Sequence, residues 1–468
     1  MKTTLTLIVL ILLNSTFFAQ SIIVDANRTT SDIILSEFIE NQTISNLKVN
    51  GLPLGTNDIF NNITLFQKGN SNFMLNNGIL LTTGNGINAQ GPNSLNNSTS
   101  VGTLNTYLND SDISQISGGT VTTGVCVEFD IVADGTELEF EYIFASEEYP
   151  EYVCSKYNDI FGIVVSGDGI TGTLSNGGKN IALVPDPNSA NSYTNTSVGI
   201  NSINAAIPGN FSSNPTACNN MDPNWTQYSV FFTANPNNSP STQFNGYTVP
   251  LTAKTPVTCG ATYHLKIFVV NVTDVSLDSG VFFKRLKFNN KPVVDFTPTP
   301  SNGIAPLSTT IINNSQNIDT FDWNFGNGYT ENNITITEDY NTIYTDAGTY
   351  YITVVGKKDL CIVESTQEVI VVNPSPLIEP ANIFSPNEDG INDIWSFNKN
   401  IGVGKIQLLI LNRWGNVVFE DNSFSPKWDG KDKNGQPLLE GVYFYKYITN
   451  SLLDNEKLTG QGFIHLKL

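Results

Sequence analysis

The chain has 468 residues, of which 14% are charged, and 43 acidic against 23 basic residues give a net charge of -20 at pH 7. This length predicts roughly three domains. The acidic charge excludes nucleic acid as a natural partner, because a phosphate backbone would be repelled. A composition poor in charge and rich in Asn, Thr, Ser and Gly favours strands and turns, so we expect an all-β protein.

Residues 1–19 have the pattern of a secretory signal peptide. Lys2 supplies the positive end, residues 5–13 form an apolar run broken only by Thr6, and the small Ala19 precedes the expected cleavage site. The run is much shorter than the ~20 residues of a bilayer span. A buried N-terminal helix is the alternative. No later segment is apolar enough to span a membrane, so we expect a secreted chain without a transmembrane segment after signal removal.

Residues 20–290 predict a large, jelly-roll-like β-sandwich. Period-two alternation between turn signals marks the strands. A single short helix is expected over 30–40, capped by Thr30 or Ser31. The clearest predicted strands cover 136–144, 160–166, 263–271 and 281–288.

The rest of the chain predicts two small Ig-like β-sandwich domains. Residues 291–373 have the length of one such domain, and residues 381–468 are again rich in strands. Between them, residues 374–380 contain three prolines and predict a semi-rigid linker.

Four of the five cysteines lie in the first 290 residues, so up to two disulfides can form there in an oxidising compartment. Cys154 with Cys218 is the preferred pair, which leaves Cys126 with Cys259. The sequence does not choose among the three possible pairings. Cys361 would remain unpaired.

The middle domain resembles a PKD domain. The resemblance rests on the motif Trp323-Asn-Phe-Gly-Asn-Gly328 and on the later run Tyr344-Thr-Asp-Ala-Gly-Thr-Tyr-Tyr351. Trp323 and Phe325 would point into the core, and the two glycines would permit a sharp turn. The family's usual aspartates are here Asn324 and Asn327. The resemblance implies a spacer or contact module of extracellular proteins without catalysis.

The last domain resembles the C-terminal domain of gliding-motility-associated proteins, the type B sorting signal of type IX secretion in Bacteroidota. Its landmarks are Ile383-Phe-Ser-Pro-Asn-Glu-Asp-Gly-Ile-Asn-Asp393, Leu411-Asn-Arg-Trp-Gly-Asn-Val-Val-Phe419, Trp428-Asp-Gly430 and Gly441-Val-Tyr-Phe-Tyr445. The resemblance implies that residues 381–468 are recognised by the type IX secretion machinery. The protein would then cross both membranes of a Gram-negative bacterium to the cell surface or the medium.

The first landmark also predicts a calcium loop. Carboxylates and amides around a glycine turn supply the hard oxygen ligands that calcium prefers. The spacing is not that of an EF-hand, and the same residue types dominate ordinary turns. The candidate ligands are Asn387, Asp389, Asn392 and Asp393.

The first domain resembles the choice-of-anchor L domain, a module found upstream of varied surface-anchoring signals. The resemblance rests on Phe144-Ala-Ser-Glu-Glu-Tyr-Pro-Glu-Tyr-Val-Cys154, Tyr157-Asn-Asp-Ile-Phe-Gly162 and Asn271-Val-Thr-Asp-Val-Ser-Leu-Asp-Ser-Gly-Val-Phe282. The family assigns an architecture and implies no activity.

The same motifs hold the best candidate site, a group of oxygen-bearing side chains at strand ends. If these loops share one edge of the sandwich, their carboxylates could converge on calcium. The alternative is that Asp and Asn cap turns while Glu147 pairs with Lys156. The candidates are Glu147, Glu148, Asn158, Asp159, Asp274 and Asp278.

Paired acids also raise the alternative of a glycoside hydrolase. Glu147 and Glu148 are adjacent, and in a strand they would point to opposite faces. The chain has none of the common catalytic motifs, and both His264 and His465 lie in strand patterns. We therefore expect no enzymatic activity and no cofactor other than calcium.

The expected function is adhesion: the first domain would bind a glycan, the extracellular matrix or a surface protein. Candidate contacts by stacking are Tyr149, Tyr152, Tyr157 and Trp225. A purely structural or gliding-associated surface component is the alternative, and a polysaccharide-degrading enzyme is the third.

Overall fold

The computed structural model describes residues 21–39, 42–93, 108–212, 214–335 and 339–468, so the predicted signal peptide lies outside the described residues. The chain divides into two compact units. The first is Met1–Pro292 with Lys358–Cys361, and the second is Val293–Lys357 with Ile362–Leu468. The prediction of an all-β protein, with one large sandwich followed by two small ones, is confirmed.

Two large sheets and a two-stranded ribbon form the first unit. The nine-stranded sheet contains β1 (Ile23–Asp25), β4 (Ile63–Gln67), β5 (Asn77–Thr82), β7 (Glu137–Ser146), β12 (Phe232–Ala234), β13 (Gly246–Thr248), β14 (Leu251–Pro256), β16 (Ser279–Phe283) and β17 (Lys287–Asn289). The six-stranded sheet contains β2 (Ile44–Val49), β3 (Leu52–Pro53), β6 (Val121–Val132), β8 (Ile160–Gly167), β9 (Lys179–Asn180) and β15 (Thr262–Val272). The ribbon pairs β10 (Leu183–Pro185) with β11 (Tyr193–Ser197).

Period-two alternation places apolar side chains on both faces of the central strands. In β7, Phe140 and Tyr142 join the core between the sheets, whereas Ile143 joins a second cluster on the outer face. In β6, Phe129 belongs to the central core and Cys126 to a third cluster. The central strands are therefore covered on both sides.

The few helices are short and lie between strands. The predicted helix over 30–40 is present as α1 (Thr30–Asp32), which continues as a π-helix over Ile33–Phe38. The predicted caps, Thr30 and Ser31, are wrong. The Thr29 hydroxyl caps the helix by accepting from the Asp32 N–H at 3.2 Å, whereas the buried Thr30 hydroxyl accepts from the Phe60 N–H. Among the described residues, further helices are α2 (Ser111–Ser117), α3 (Thr216–Met221) and 3₁₀ turns at Gly86–Ala89, Ser175–Gly177 and Trp225–Phe231.

Three of the four predicted strands correspond to β7, β8 and β15 within two residues at each end. The fourth prediction is wrong in one respect: residues 281–288 do not form one strand. The chain leaves the sheet after Phe283 and re-enters as β17, and both strands pair with β7. Lys284 lies in this break, where its ammonium pairs with Glu141 at 2.7 Å.

Two disulfides lie within the first unit. Cys154 bonds to Cys218, the pair preferred from the sequence. The second expectation is wrong, because Cys259 bonds to Cys361 and Cys126 is a free, buried thiol. The Leu360 N–H donates to the Cys259 carbonyl, which brings residues 358–361 beside Cys259.

The middle domain, residues 293–372, is built on two sheets around its own core. The smaller sheet contains β18 (Phe296–Thr299), β20 (Leu307–Asn313) and β23 (Tyr340–Tyr344), and the larger contains β19 (Asn302–Ile304), β21 (Thr320–Asn324), β22 (Thr330–Ile334), β24 (Gly348–Lys358) and β25 (Cys361–Val372). As predicted, Trp323 and Phe325 are buried in that core. Gly326 has φ +76°, and a Cβ there would lie 2.6 Å from the Tyr351 carbonyl oxygen, so the turn requires glycine.

The last domain has a separate core that contains Trp395 and Trp428. Its sheets contain β26 (Leu377–Pro380), β28 (Trp395–Ile401) and β31 (Lys427–Trp428), and β27 (Ile383–Phe384), β29 (Ile406–Leu411), β30 (Val417–Ser423), β32 (Gly441–Asn450) and β33 (Lys457–Leu466). The linker prediction for 374–380 is wrong in its second half. Leu377–Pro380 is a strand paired with β28, so it belongs to the sheet.

Candidate functional site: an acidic cluster beside an aromatic platform

The predicted acidic residues meet at one edge of the first sandwich. In the nine-stranded sheet, the end of β7 pairs with the start of β16, so that Ser146 faces Ser279. In the six-stranded sheet, the start of β8 pairs with the end of β15, so that Ile160 faces Val270. The loop from β15 to β16 crosses between the two sheets at this edge. Side chains that follow β7, precede β8 or lie in the crossing loop are thereby brought together.

Five carboxyl groups form this acidic cluster, and four are almost fully buried: Glu147, Glu148, Asp159 and Asp278 expose 4%, 1%, 1% and 3% of their surface. Asp274 is half-buried. Two hydrogen bonds join the loops, from the Glu147 N–H to the Asp278 carbonyl (2.9 Å) and from the Asp278 N–H to Glu147 Oε2 (3.2 Å).

Asp159 is held by donors from both sheets. Its Oδ1 accepts from the Val272 N–H at 3.1 Å, and its Oδ2 accepts from the Ser279 hydroxyl at 2.7 Å. The Ser279 hydroxyl lies 2.8 Å from that of Ser146, which in turn accepts from the Glu148 N–H at 2.9 Å. Asp159 is therefore fixed in position by the strands themselves.

Two other carboxyls of the cluster each have an oxygen without such a donor. Glu148 Oε2 and Asp278 Oδ1 are buried and have no hydrogen-bond partner. Burial, and then the charges of Asp159, Asp274 and Glu147, raise the pKa of Glu148. Burial also raises the pKa of Asp159, although its hydrogen bonds from Ser279 and Val272 oppose this rise. Burial, together with the nearby charges of Glu147 and Asp159, raises the pKa of Asp278 to about 8. Carboxyls in this state hold a proton near neutral pH or require a cation.

Asn158 does not join the cluster. Its Oδ1 accepts from the Asn201 N–H at 2.8 Å, and its Nδ2 lies 3.7 Å from Met221 Sδ. It therefore helps to position the segment that follows residue 199.

An aromatic platform of Tyr152, Tyr157 and Phe211 lies next to the acidic cluster. Tyr152 stacks on Phe211 with ring centroids 4.5 Å apart and planes 4° from parallel, and Tyr157 meets Tyr152 edge-on at 5.4 Å. The Lys156 ammonium lies 5.0 Å from the centroid of the Tyr157 ring. Phe211 exposes 67% of its surface, and Tyr152 donates its N–H to the Glu148 carbonyl at 3.0 Å.

The platform has a rigid base. The Phe211 N–H donates to the Glu151 carbonyl at 3.2 Å, and the Gly209 N–H donates to the Val153 carbonyl at 2.9 Å. A Cβ at Gly209 would lie 2.1 Å from the Glu151 carbonyl oxygen, so this close approach needs glycine. The Cys154–Cys218 disulfide adds a covalent link: Cys154 directly follows the segment 151–153, and Cys218 lies seven residues after Phe211.

Two of the four predicted contact aromatics are wrong. Tyr149 is fully buried and donates its hydroxyl to the Ile203 carbonyl at 2.6 Å. Trp225 is 3% exposed, and its Nε1 donates to Asn219 Oδ1 at 2.9 Å. Phe211 was not predicted, although an isolated aromatic ring in the polar run 208–214 is a usable signal.

The predicted calcium loop of the last domain uses its acidic groups in a turn. Asp393 accepts from the Glu388 and Gly390 N–H groups, both at 2.7 Å, and Asp389 accepts from the Ile391 N–H at 2.8 Å. Asn387 accepts from the Asp389 N–H, and Asn392 has φ +56°. These contacts match the turn alternative, and calcium in this loop stays a prediction.

Two features are absent from the described ranges, a membrane-spanning helix and a ready-made metal site. Among these residues, no helix is long and apolar enough to cross a membrane. Nor do the described residues contain three or more His, Cys, Asp or Glu side chains already arranged to hold a metal ion.

Two family models match the sequence. The choice-of-anchor L domain matches residues 23–289, and the CHU_C type IX secretion signal domain matches residues 378–466. Neither family is catalytic. No curated protein matches the chain.

Solved structures similar to the chain share β-sandwich architecture at low identity. The fibronectin(III)-like modules of Clostridium thermocellum CbhA are 14% identical (37% of this chain, 94% of that chain, TM-score 0.16). The BSP domain of a biofilm associated protein is 10% identical (86% and 74%, TM-score 0.17). SGBP-B of Bacteroides ovatus, in complex with a mixed-linkage heptasaccharide, is 14% identical (66% and 60%, TM-score 0.13). Likenesses at these TM-scores assign no shared activity.

Proposed function

Because the chain belongs to the choice-of-anchor L family and carries a type IX secretion signal domain, it is a secreted cell-surface protein of Bacteroidota, and we propose that its first domain binds a glycan on the aromatic platform. The observation that carries the proposal is the stacking of the exposed Phe211 on the partly exposed Tyr152. Such rings present flat apolar faces that pack against the C–H face of a sugar.

The surroundings of the platform suit a sugar. Glu151 and Asp274 are partly exposed beside it, and Lys156 is exposed, so donors and acceptors for hydroxyl groups flank the rings. Few precisely placed polar groups around an apolar surface are typical of small-ligand sites. The net charge of -20 disfavours a polyanionic glycan and favours a neutral one.

Rigidity also supports binding. Phe211 is held by backbone hydrogen bonds to residues 151–153, and the neighbouring Cys154 is cross-linked. A surface ordered before binding loses little conformational entropy when a ligand arrives.

An array of neutral glycans probed with the mature chain tests the proposal. Phe211→Ala should weaken binding by about 2 kcal/mol, the loss typical of an aromatic hot spot, which is about 30-fold. Phe424→Ala is the matched control, because this phenylalanine of the last domain is 63% exposed, close to the 67% of Phe211. A wild-type chain that binds no glycan, or a Phe211→Ala variant that binds as tightly as wild type, would reject the proposal in favour of a structural surface component.

A further inference from the structure

We propose that Glu148, Asp159 and Asp274 bind one divalent cation of the calcium class beside the aromatic platform. This inference concerns a metal site and does not depend on glycan binding. It rests on three observations: a fixed carboxylate, a buried carboxylate oxygen without a partner, and a half-buried carboxylate at the edge.

The fixed group is Asp159. Its oxygens accept one hydrogen bond each, from the Val272 N–H and from the Ser279 hydroxyl. A carboxylate oxygen has two lone pairs, so each can still coordinate a cation. Because the donors belong to β15 and β16, the carboxylate is oriented before any ligand binds.

The unsatisfied group is Glu148. Its side chain is 1% exposed, and Oε2 has no hydrogen-bond partner. Its N–H donates to the Ser146 hydroxyl, which lies 2.8 Å from the Ser279 hydroxyl that holds Asp159, so Glu148 and Asp159 are neighbours. Among nearby charges, those of Asp159 and Asp274 contribute most to raising the pKa of Glu148. A buried carboxyl oxygen without a partner costs free energy, and native structures rarely leave one unexplained. A bound cation supplies both the missing contact and the opposite charge.

Asp274 gives access from solvent. It is half-buried, and its loop is anchored by a hydrogen bond from the Thr122 hydroxyl to its backbone carbonyl. Its Oδ1 accepts from the Ser276 N–H at 3.1 Å. The described residues hold no ready-made set of three metal-binding side chains, so binding must draw Glu148 and Asp274 toward the fixed Asp159.

The chemistry of the donors favours calcium over other ions. The three side chains offer only carboxylate oxygens, which exclude the soft metals that prefer sulfur or imidazole. Calcium accepts six to eight oxygens in irregular geometry and can complete its shell with water, whereas magnesium requires a near-ideal octahedron. A site between two loops and a strand end suits the more adaptable ion.

Calorimetric titration of CaCl₂ into the EDTA-treated mature chain, with melting curves in parallel, tests the site without any glycan. We expect one bound Ca²⁺ per chain and a melting temperature about 5 °C higher when Ca²⁺ is 100-fold above Kd. Glu148→Gln and Asp274→Asn should each weaken Ca²⁺ binding at least tenfold. Asp274→Asn changes a half-buried residue, so it guards against a variant that fails to fold.

Asp393→Asn is the matched control, because it removes a carboxylate from the other candidate calcium loop. It should leave Ca²⁺ binding by the chain unchanged. The proposal is overturned if wild type does not respond to Ca²⁺, if the Glu148→Gln and Asp274→Asn variants respond as wild type does, or if Asp393→Asn abolishes the response. If the chain binds Ca²⁺ but no glycan on the array, the proposed metal site stands and the proposed glycan-binding function is rejected.

Discussion

The Cys154–Cys218 disulfide should contribute strongly to the stability of the first domain. It closes a loop with a sequence separation of 64 residues. Loop-closure entropy for a ring of that size corresponds to about 4 kcal/mol. For a domain of this length, each kcal/mol shifts the melting temperature by about 2–4 °C. Replacing both cysteines with alanine should therefore lower the melting temperature by about 10 °C.

The assay is thermal unfolding of the mature chain under oxidising conditions, followed by circular dichroism. Cys126→Ala is the control, because it removes a buried sulfur that is not cross-linked. Hydrogen exchange adds a local readout. Amides of residues 199–212 should exchange faster in the double variant, since this segment is held against residues 151–155 beside the disulfide.

The reasoning fails if the double variant melts no lower than Cys126→Ala. It also fails if residues 199–212 keep their exchange rates, because the platform would then not depend on the cross-link. Loss of protection confined to that segment, with a small change in melting temperature, would show that the disulfide acts locally.

Three further predictions concern stability, pH and export. Lys266→Met should destabilise the chain by about 3 kcal/mol in urea unfolding, because Lys266 pairs with the buried Asp112 at 2.8 Å and that carboxylate would lose its cationic partner. Because the folded-state pKa of Asp278, about 8, lies above its unfolded value, the folded state binds the extra proton. With a chelator present, stability should therefore fall as pH rises from about 4 to about 8, and Asp278→Asn should flatten that profile. Removal of residues 381–468 should leave the protein in the periplasm in cell fractionation, whereas the intact chain reaches the surface.

The sequence places the acidic residues at the ends of predicted strands, and it predicts their convergence only if those loops share one edge of the sandwich. Glu147, Asp159 and Asp278 each adjoin a strand, and in the structure antiparallel pairing returns those strand ends to one edge. The sequence did not show which carboxylate oxygens of the cluster would lack a hydrogen-bond donor. That depends on the Ser146 and Ser279 hydroxyls, whose contacts arise only when the two sheets pack.

The aromatic platform shows the opposite case. Residues 147–157 form turns without periodicity, so the sequence did not distinguish the buried Tyr149 from the partly exposed Tyr152. Phe211 reaches Tyr152 across more than fifty residues, a contact that no local pattern encodes. Cys361 was misassigned for the same reason, because its partner Cys259 lies 102 residues away.

The most direct test of the proposed function is a crystal structure of the mature chain with the neutral oligosaccharide that binds most tightly on the array. We predict a sugar ring packed on Phe211 and Tyr152, with Glu151, Lys156 or Asp274 within hydrogen-bond distance of its hydroxyl groups. A sugar bound on another surface of the chain, with the platform bare, would contradict the proposal.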